Sequence, residues 1–154
     1  MMKLLIAVSF NVIFMHVNGQ NNLDSLLTDW HKDAKNASLE NYFDFMNNEF
    51  VFMGTAPGER WNKTDFYHFC EPYFIKKSTW DFIPSNRNWE YNQDSTIAWF
   101  DEDLSTWMGS CRGSGVLVKA NGEWKIAFYN LCVLIENEKI KSFIRLKEKK
   151  TRNK

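Results

Sequence analysis

The chain has no excess charge of either sign: 19 Lys and Arg balance 19 Asp and Glu. That removes the electrostatic case for a nucleic-acid partner. It has no CxxC or HxxxH pair, and beyond the first 20 residues only His31 and His68 occur, in separate predicted helices. A zinc site therefore has no ligand set, and neither a metal nor a cofactor is expected. Asp101, Asp103 and Ser105 repeat the start of a calcium loop, but Thr106 stands where the loop needs Gly and Arg112 where it needs Glu. There is no GxSxG, no Cys with a convincing His partner and no glycine loop feeding a helix, so a hydrolase nucleophile and a phosphate cradle are both excluded. No repeat, low-complexity tract or linker divides the 154 residues, which points to one domain with a substantial core.

Outside residues 4–15 no apolar stretch approaches the length of a membrane span. That run follows Lys3 and leads to Val17 and Gly19, the pattern of a secretory signal cut between Gly19 and Gln20. The expected division is a signal peptide at 1–19, a folded domain at 20–146 and a basic tail at 147–154. The expected location is secreted or periplasmic, without stable membrane insertion. Charge is unevenly placed: eight basic and three acidic residues from Glu136 onward give +5, while 20–135 carries −6. Such a run meets an acidic partner or a membrane surface, or is a solvated helix end, and the last is the expectation.

What the chain has in quantity is rings: 13 Phe and 7 Trp, with aromatics at 16%. They either pack tightly or line a cavity. Leu23, Leu26, Leu27, Trp30 and Ala34 recur at helical spacing, predicting a helix over 23–36. Ser38 opens a second helix with Leu39, Tyr42, Phe43 and Met46 as its apolar face. A short strand at Phe50–Met53 stops at Gly54 and the Ala56-Pro57-Gly58 turn. Asn62 or Thr64 then opens a third helix carrying Phe66, Phe69, Cys70, Tyr73 and Phe74. Period-two segments follow near 79–91, 94–104, 111–120 and 123–135, with a last helix through Ile140, Phe143 and Ile144. Helices segregated from a meander of strands make an α+β fold, in which a curved, mostly antiparallel sheet closes on three helices and leaves a cone open at one end.

The strongest turn signal is Asn121-Gly122 between two alternating segments. A two-residue turn pairs 120 with 123, and counting outward without a bulge sets Cys111 opposite Cys132. A cross-strand disulfide and two packed free thiols both remain open. The same register sets Gly113 opposite Asn130 and Gly115 opposite Phe128, which would place Phe128 and Asn130 on the concave face. Cys70, on an apolar helix face, is expected in the core.

The run VFMGTAPGERW (51–61) resembles the VFxGTxxxExW segment of SnoaL-like domains in the nuclear transport factor 2-like superfamily. AWFDEDL (98–104), CRGSGVLVKANGEWKIA (111–127) and YNLCVLI (129–135) are similar to the same group, and the likeness covers about residues 23–145. The resemblance implies a cone-shaped, cystatin-like α+β fold with a pocket, and often a homodimer packed through the sheet. Its members range from isomerases and dehydratases to binders without known activity, so fold does not give function. Many carry His on the last strand in a WxIxHxH pattern. Here the matching positions are Phe128 and Asn130, which argues against carrying over an acid–base mechanism.

Alternation on 97–104 places Ile97, Trp99, Asp101 and Asp103 on one face and Ala98, Phe100, Glu102 and Leu104 on the other. Asp101 beside Trp99 is the acid assigned to the pocket, either as a desolvated proton-transfer group or as a rim residue paired with Arg112 or Arg60. His31 is either a pocket base or an edge histidine. The expectation is a small-molecule-binding domain for an apolar or aromatic ligand, lined by Phe52, Trp61, Trp99, Phe128 and Asn130, with Asp101 and Arg112 as polar anchors. The alternatives are a proton-transfer isomerase or dehydratase using Asp101 or His31, and a non-catalytic dimerisation module whose own rings fill the cavity.

Overall fold

The computed structural model describes residues 22–151, with side chains described through Glu148. The expected signal peptide and the end of the basic tail lie outside the described residues.

Helix α1 (22–35) buries Leu23, Leu27, Trp30 and Ala34 as one stripe. It ends where Ala37 turns left-handed and the Ser38 N–H closes back on the Asp33 carbonyl at 2.8 Å. Helix α2 (Leu39–Asp44) buries Tyr42 and Phe43. Met46, expected on that helix, instead opens strand β1 (Met46–Met53). Sheet pairing takes it from the helix, because the Phe45 carbonyl accepts the Ile126 N–H at 2.9 Å and Met46 pairs with Ile126. Strand β2 (Arg60–Asn62) returns beside β1 and runs into α3 (Lys63–Ile75). Asn62 caps α3 by accepting the Asp65 N–H at 2.9 Å, and Phe66, Cys70 and Phe74 form its buried stripe. Four long strands follow: β3 (Ile83–Tyr91), β4 (Ile97–Thr106), β5 (Gly109–Ala120) and β6 (Glu123–Val133). After a 3-10 turn at Asn137–Lys139 comes α4 (Ile140–Thr151).

The architecture is α+β, with helices packed on an open six-stranded sheet in the order β2-β1-β6-β5-β4-β3. Only β1 and β6 run parallel. The Asn121-Gly122 turn forms with both residues left-handed, the geometry that suits the twist of the flanking strands.

Two bulges decide which side chains face the helices. In β6 the pairing moves from Leu117↔Ile126 to Val116↔Phe128, leaving Ala127 unpaired. A one-residue slip reverses every later side chain. Tyr129 and Leu131 therefore share the inner face with Gly115 and Gly113, while Phe128 and Asn130 stand on the outer face. In β3 the pairing moves from Ser85↔Asp103 to Asn88↔Asp101, so Asn86 and Arg87 together oppose Glu102. Asn86 takes the left-handed conformation that such a bulge needs and that Asn tolerates.

The β6 bulge also removes both readings of Cys111 and Cys132, a cross-strand disulfide and two thiols packed side by side. Cys111 pairs with Val133 and Cys132 with Arg112, so the two cysteines stand on opposite faces. Cys70, Cys111 and Cys132 are all free, the first two buried and the third exposed. Burial also pushes the Cys70 thiol well up from its ordinary range. Thiol titration without reductant should therefore find Cys132 alone reactive in the native protein and all three cysteines reactive after denaturation. Loss of two thiols from the denatured count would restore the bridge.

Candidate functional site

Glu102 sits in the inner stripe of β4 between Phe100 and Leu104 and is 0% exposed. A carboxylate there must be fully hydrogen-bonded to be tolerated. His31 Nε2 lies 2.8 Å from Oε1, and the Tyr129 hydroxyl donates to the same oxygen at 3.0 Å. Arg87 closes a fork on Oε2, with Nη2 at 2.8 Å and Nε at 3.0 Å. The remaining Arg87 nitrogen, Nη1, donates to the Asp24 carbonyl at 2.9 Å and to Thr28 Oγ1 at 3.2 Å. Trp89 Nε1 donates to the Asp24 carboxylate at 2.8 Å. One network thus ties α1 to β3, β4 and β6.

Burial by itself pushes the Glu102 carboxyl up, but the hydrogen bond from His31, its charge whenever the imidazole is protonated, and the charge and hydrogen bonds of Arg87 outweigh it. Glu102 is held below the usual carboxylate range and is ionised. An ionised carboxylate only accepts, so Nε2 of His31 must carry the proton it donates. Nδ1 is then the ring nitrogen left for another partner, and among the described residues it has none. Burial, reinforced by the negative charge of Glu102, raises Tyr129 well above the ordinary phenol range, so its hydroxyl stays a donor. Gly113 makes room for this bond: a Cβ there would collide with the Tyr129 hydroxyl and stand 3.0 Å from Glu102 Oε1.

His31 and Tyr129 also line a cavity of about 180 Å³ between the helices and the inner face. Its walls are rings: Phe52 stacks on Phe66 at 4.2 Å, and Trp61 on Phe69 at 4.7 Å. Gly54, Thr55 and Glu59 contribute a loop held by Glu59, which accepts the Ala56 N–H at 2.8 Å. Trp107 lines the cavity while remaining 82% exposed, which places it at the mouth. Apart from the histidine the lining is largely aromatic. Among the described residues no group of three His, Cys, Asp or Glu side chains could hold a metal ion.

Residues 23–136 match the model of the SnoaL-like domain family. The chain belongs to this family. A search of curated proteins finds no sequence match. Among solved structures, this SnoaL-like domain is similar to an NTF2-like protein of unknown function from Pseudomonas putida KT2440, at 8% identity and TM-score 0.66 over 79% of this chain and 91% of that one. It is similar to a cystatin-like-fold protein of unknown function from Nostoc punctiforme PCC 73102, at 14% identity and TM-score 0.62 over 75% and 90%. A third neighbour, from Novosphingobium aromaticivorans DSM 12444, is provisionally assigned as a scytalone dehydratase, at 10% identity and TM-score 0.63 over 78% and 87%. At these identities the likeness is one of fold.

Of the residues expected at the pocket, Phe52 and Trp61 line the cavity of this SnoaL-like domain, and His31, open between a pocket base and an edge histidine, lines it too. Trp99, Asp101, Arg112, Phe128 and Asn130 do not; they lie on the opposite face of the sheet. The β6 bulge accounts for Phe128 and Asn130. For β4, alternation grouped the residues correctly but the two faces are exchanged, with Ala98, Phe100, Glu102 and Leu104 inside and Trp99 44% exposed. Asp101 accepts from Asn88 at 3.3 Å, and Arg112 pairs with Asp103 at 3.2 Å, not with Asp101. Glu102, Arg87 and Tyr129 were not anticipated. One signal for Glu102 was present: it is the sole charge in an otherwise apolar alternate stripe. No comparable signal marks Arg87 or Tyr129, whose orientations depend on bulges.

A carboxyl whose folded pKa is depressed contributes stability above its unfolded value and loses it as pH falls through the folded one. The melting temperature should therefore fall as pH drops below about 4.5, the ordinary Glu value, and Glu102→Gln should flatten that part of the profile. Gly113→Ala should lower stability by about 1–3 kcal/mol in denaturant titration, because the new methyl must displace the Tyr129 hydroxyl. Arg87→Leu should cost about 3–5 kcal/mol by the same measurement, because it strands a buried charge.

Proposed function

We propose that this SnoaL-like domain binds a compact, flat, apolar or aromatic molecule carrying one hydrogen-bond donor, and that His31 Nδ1 receives that donor. The observation that carries the reading is a largely aromatic cavity in which a histidine is oriented from behind by a buried carboxylate. Its volume of about 180 Å³ limits the occupant, since an apolar cavity of about 150 Å³ holds benzene. A single substituted ring fits that limit. The open volume also weighs against a domain whose own rings fill its centre.

A second reading is favoured by the same pair. Glu102 fixes the proton on Nε2, which leaves Nδ1 able to take a proton from a bound substrate, the arrangement used in proton-transfer enzymes. The fold neighbour provisionally assigned as a scytalone dehydratase supports keeping this isomerase or dehydratase reading beside the first. Both readings include export behind the N-terminal apolar run. Both also include pairing of two copies through the outer sheet face, where Met53, Ile97 and Trp99 leave apolar surface exposed.

Phenol and toluene have the same shape and differ in one donor, so they separate the terms of the proposal. Phenol should bind more tightly than toluene by about tenfold, followed by tryptophan fluorescence, as one net hydrogen bond implies. His31→Phe should erase that preference and leave toluene binding in place. Equal affinities in the unsubstituted protein would refute the role given to Nδ1. Catalysis would show as His31-dependent deuterium uptake by cyclohexanone in heavy water, which binding alone does not produce.

A further inference from the structure

The cavity leaves one feature of the chain unused. Helix α4 carries Ile140, Phe143 and Ile144 at the spacing of a single face, with Lys141 and Arg145 turned away from it. A helix packed on its own domain would bury such a stripe. Here every described side chain from 136 to 148 is exposed, with Ile140, Phe143 and Ile144 at 38%, 41% and 47%. Lys147 lies within the stripe itself, its amine 5.5 Å from the Phe143 ring, so the apolar face is edged and crossed by cations. Among the described residues no helix is long and apolar enough to cross a membrane, and the 12 residues of α4 extend only about 18 Å.

We infer that α4 docks this domain on an anionic lipid surface, lying in the interface with its apolar stripe toward the acyl chains. The occupant follows from the charge pattern. From Glu136 onward the chain carries +5 and from 20 to 135 it carries −6, so the neutral whole conceals a basic arm on an acidic body. An anionic bilayer attracts the arm, repels the body, and presents an apolar layer directly beneath its charges. A short amphipathic helix with lysines flanking Ile and Phe matches that layering. This proposal is independent of what the cavity binds.

Sedimentation of the full chain with vesicles tests it, comparing phosphatidylcholine alone with an equal mixture of phosphatidylcholine and phosphatidylserine. Binding should be about tenfold or more tighter on the anionic vesicles and should weaken with salt, since each cation near such a surface contributes separately. Phe143→Glu/Ile144→Glu and Lys141→Glu/Arg145→Glu should each remove most of that preference. The melting temperature should stay unchanged, because none of the substituted side chains is buried. Equal binding to both vesicles overturns the inference. So does unchanged anionic preference in both variants, because attachment would then come from elsewhere in the chain. If neither vesicle is bound and Phe143→Glu/Ile144→Glu converts a pair of chains to single chains, the stripe is a contact between copies and the lipid reading falls.

Discussion

The carboxylate of Glu102 is placed where no water reaches it, and the position of every element around the cavity answers to that fact. Stripping a carboxylate of solvent costs several kcal/mol even after relaxation, and only well-placed donors offset it. Here four donor groups converge on two oxygens, and they come from residues 71, 27 and 15 positions away along the chain. The four cannot all be made until α1 has docked and both β3 and β6 are in register. The network therefore adds little to stability when complete, yet it strongly penalises any arrangement that leaves one partner out. Its main contribution is to specify a single docking of α1 on the sheet.

The cavity is a by-product of the same arrangement. His31 and Tyr129 each serve two purposes: their polar atoms engage Glu102, while their rings line the open space. Arg87 stands behind the carboxylate, fastened by Asp24 and Thr28 of α1, and does not line the cavity. Its charge cancels that of Glu102 at a distance from any ligand. The His31 imidazole thus meets the cavity among aromatic walls, with Thr55 and Glu59 on the loop that completes the lining. The exposed basic helix at the other end of the chain has no part in this network.

Much of the fold was legible because it rests on local periodicity. The α1 stripe of Leu23, Leu27, Trp30 and Ala34, the α3 stripe of Phe66, Cys70 and Phe74, and the Asn121-Gly122 turn each follow from spacing or backbone preference over a few residues. The two faces of β4 were also separable by alternation. Which face would be covered was not, because Ile97 and Trp99 on one side look as apolar as Ala98 and Phe100 on the other. Trp99 draws attention by size, yet the smaller alternate set is buried, since that side packs against the helices.

The sequence by itself determined the order of the long elements, the α1 and α3 stripes, the hairpin turn and the family to which the chain is similar, but not the short β2. All of these depend on residues within a few positions of one another. Only the tertiary structure decided that Tyr129 and Arg87 would meet Glu102 and that Cys111 and Cys132 would not meet each other. Each outcome turns on one extra residue, Ala127 in β6 or the Asn86 bulge in β3. A strand repeats every two residues, so a single insertion exchanges inside for outside along everything that follows. Whether a bulge forms depends on the partner strand and on the buried carboxylate waiting for a donor, and neither is encoded in the strand itself.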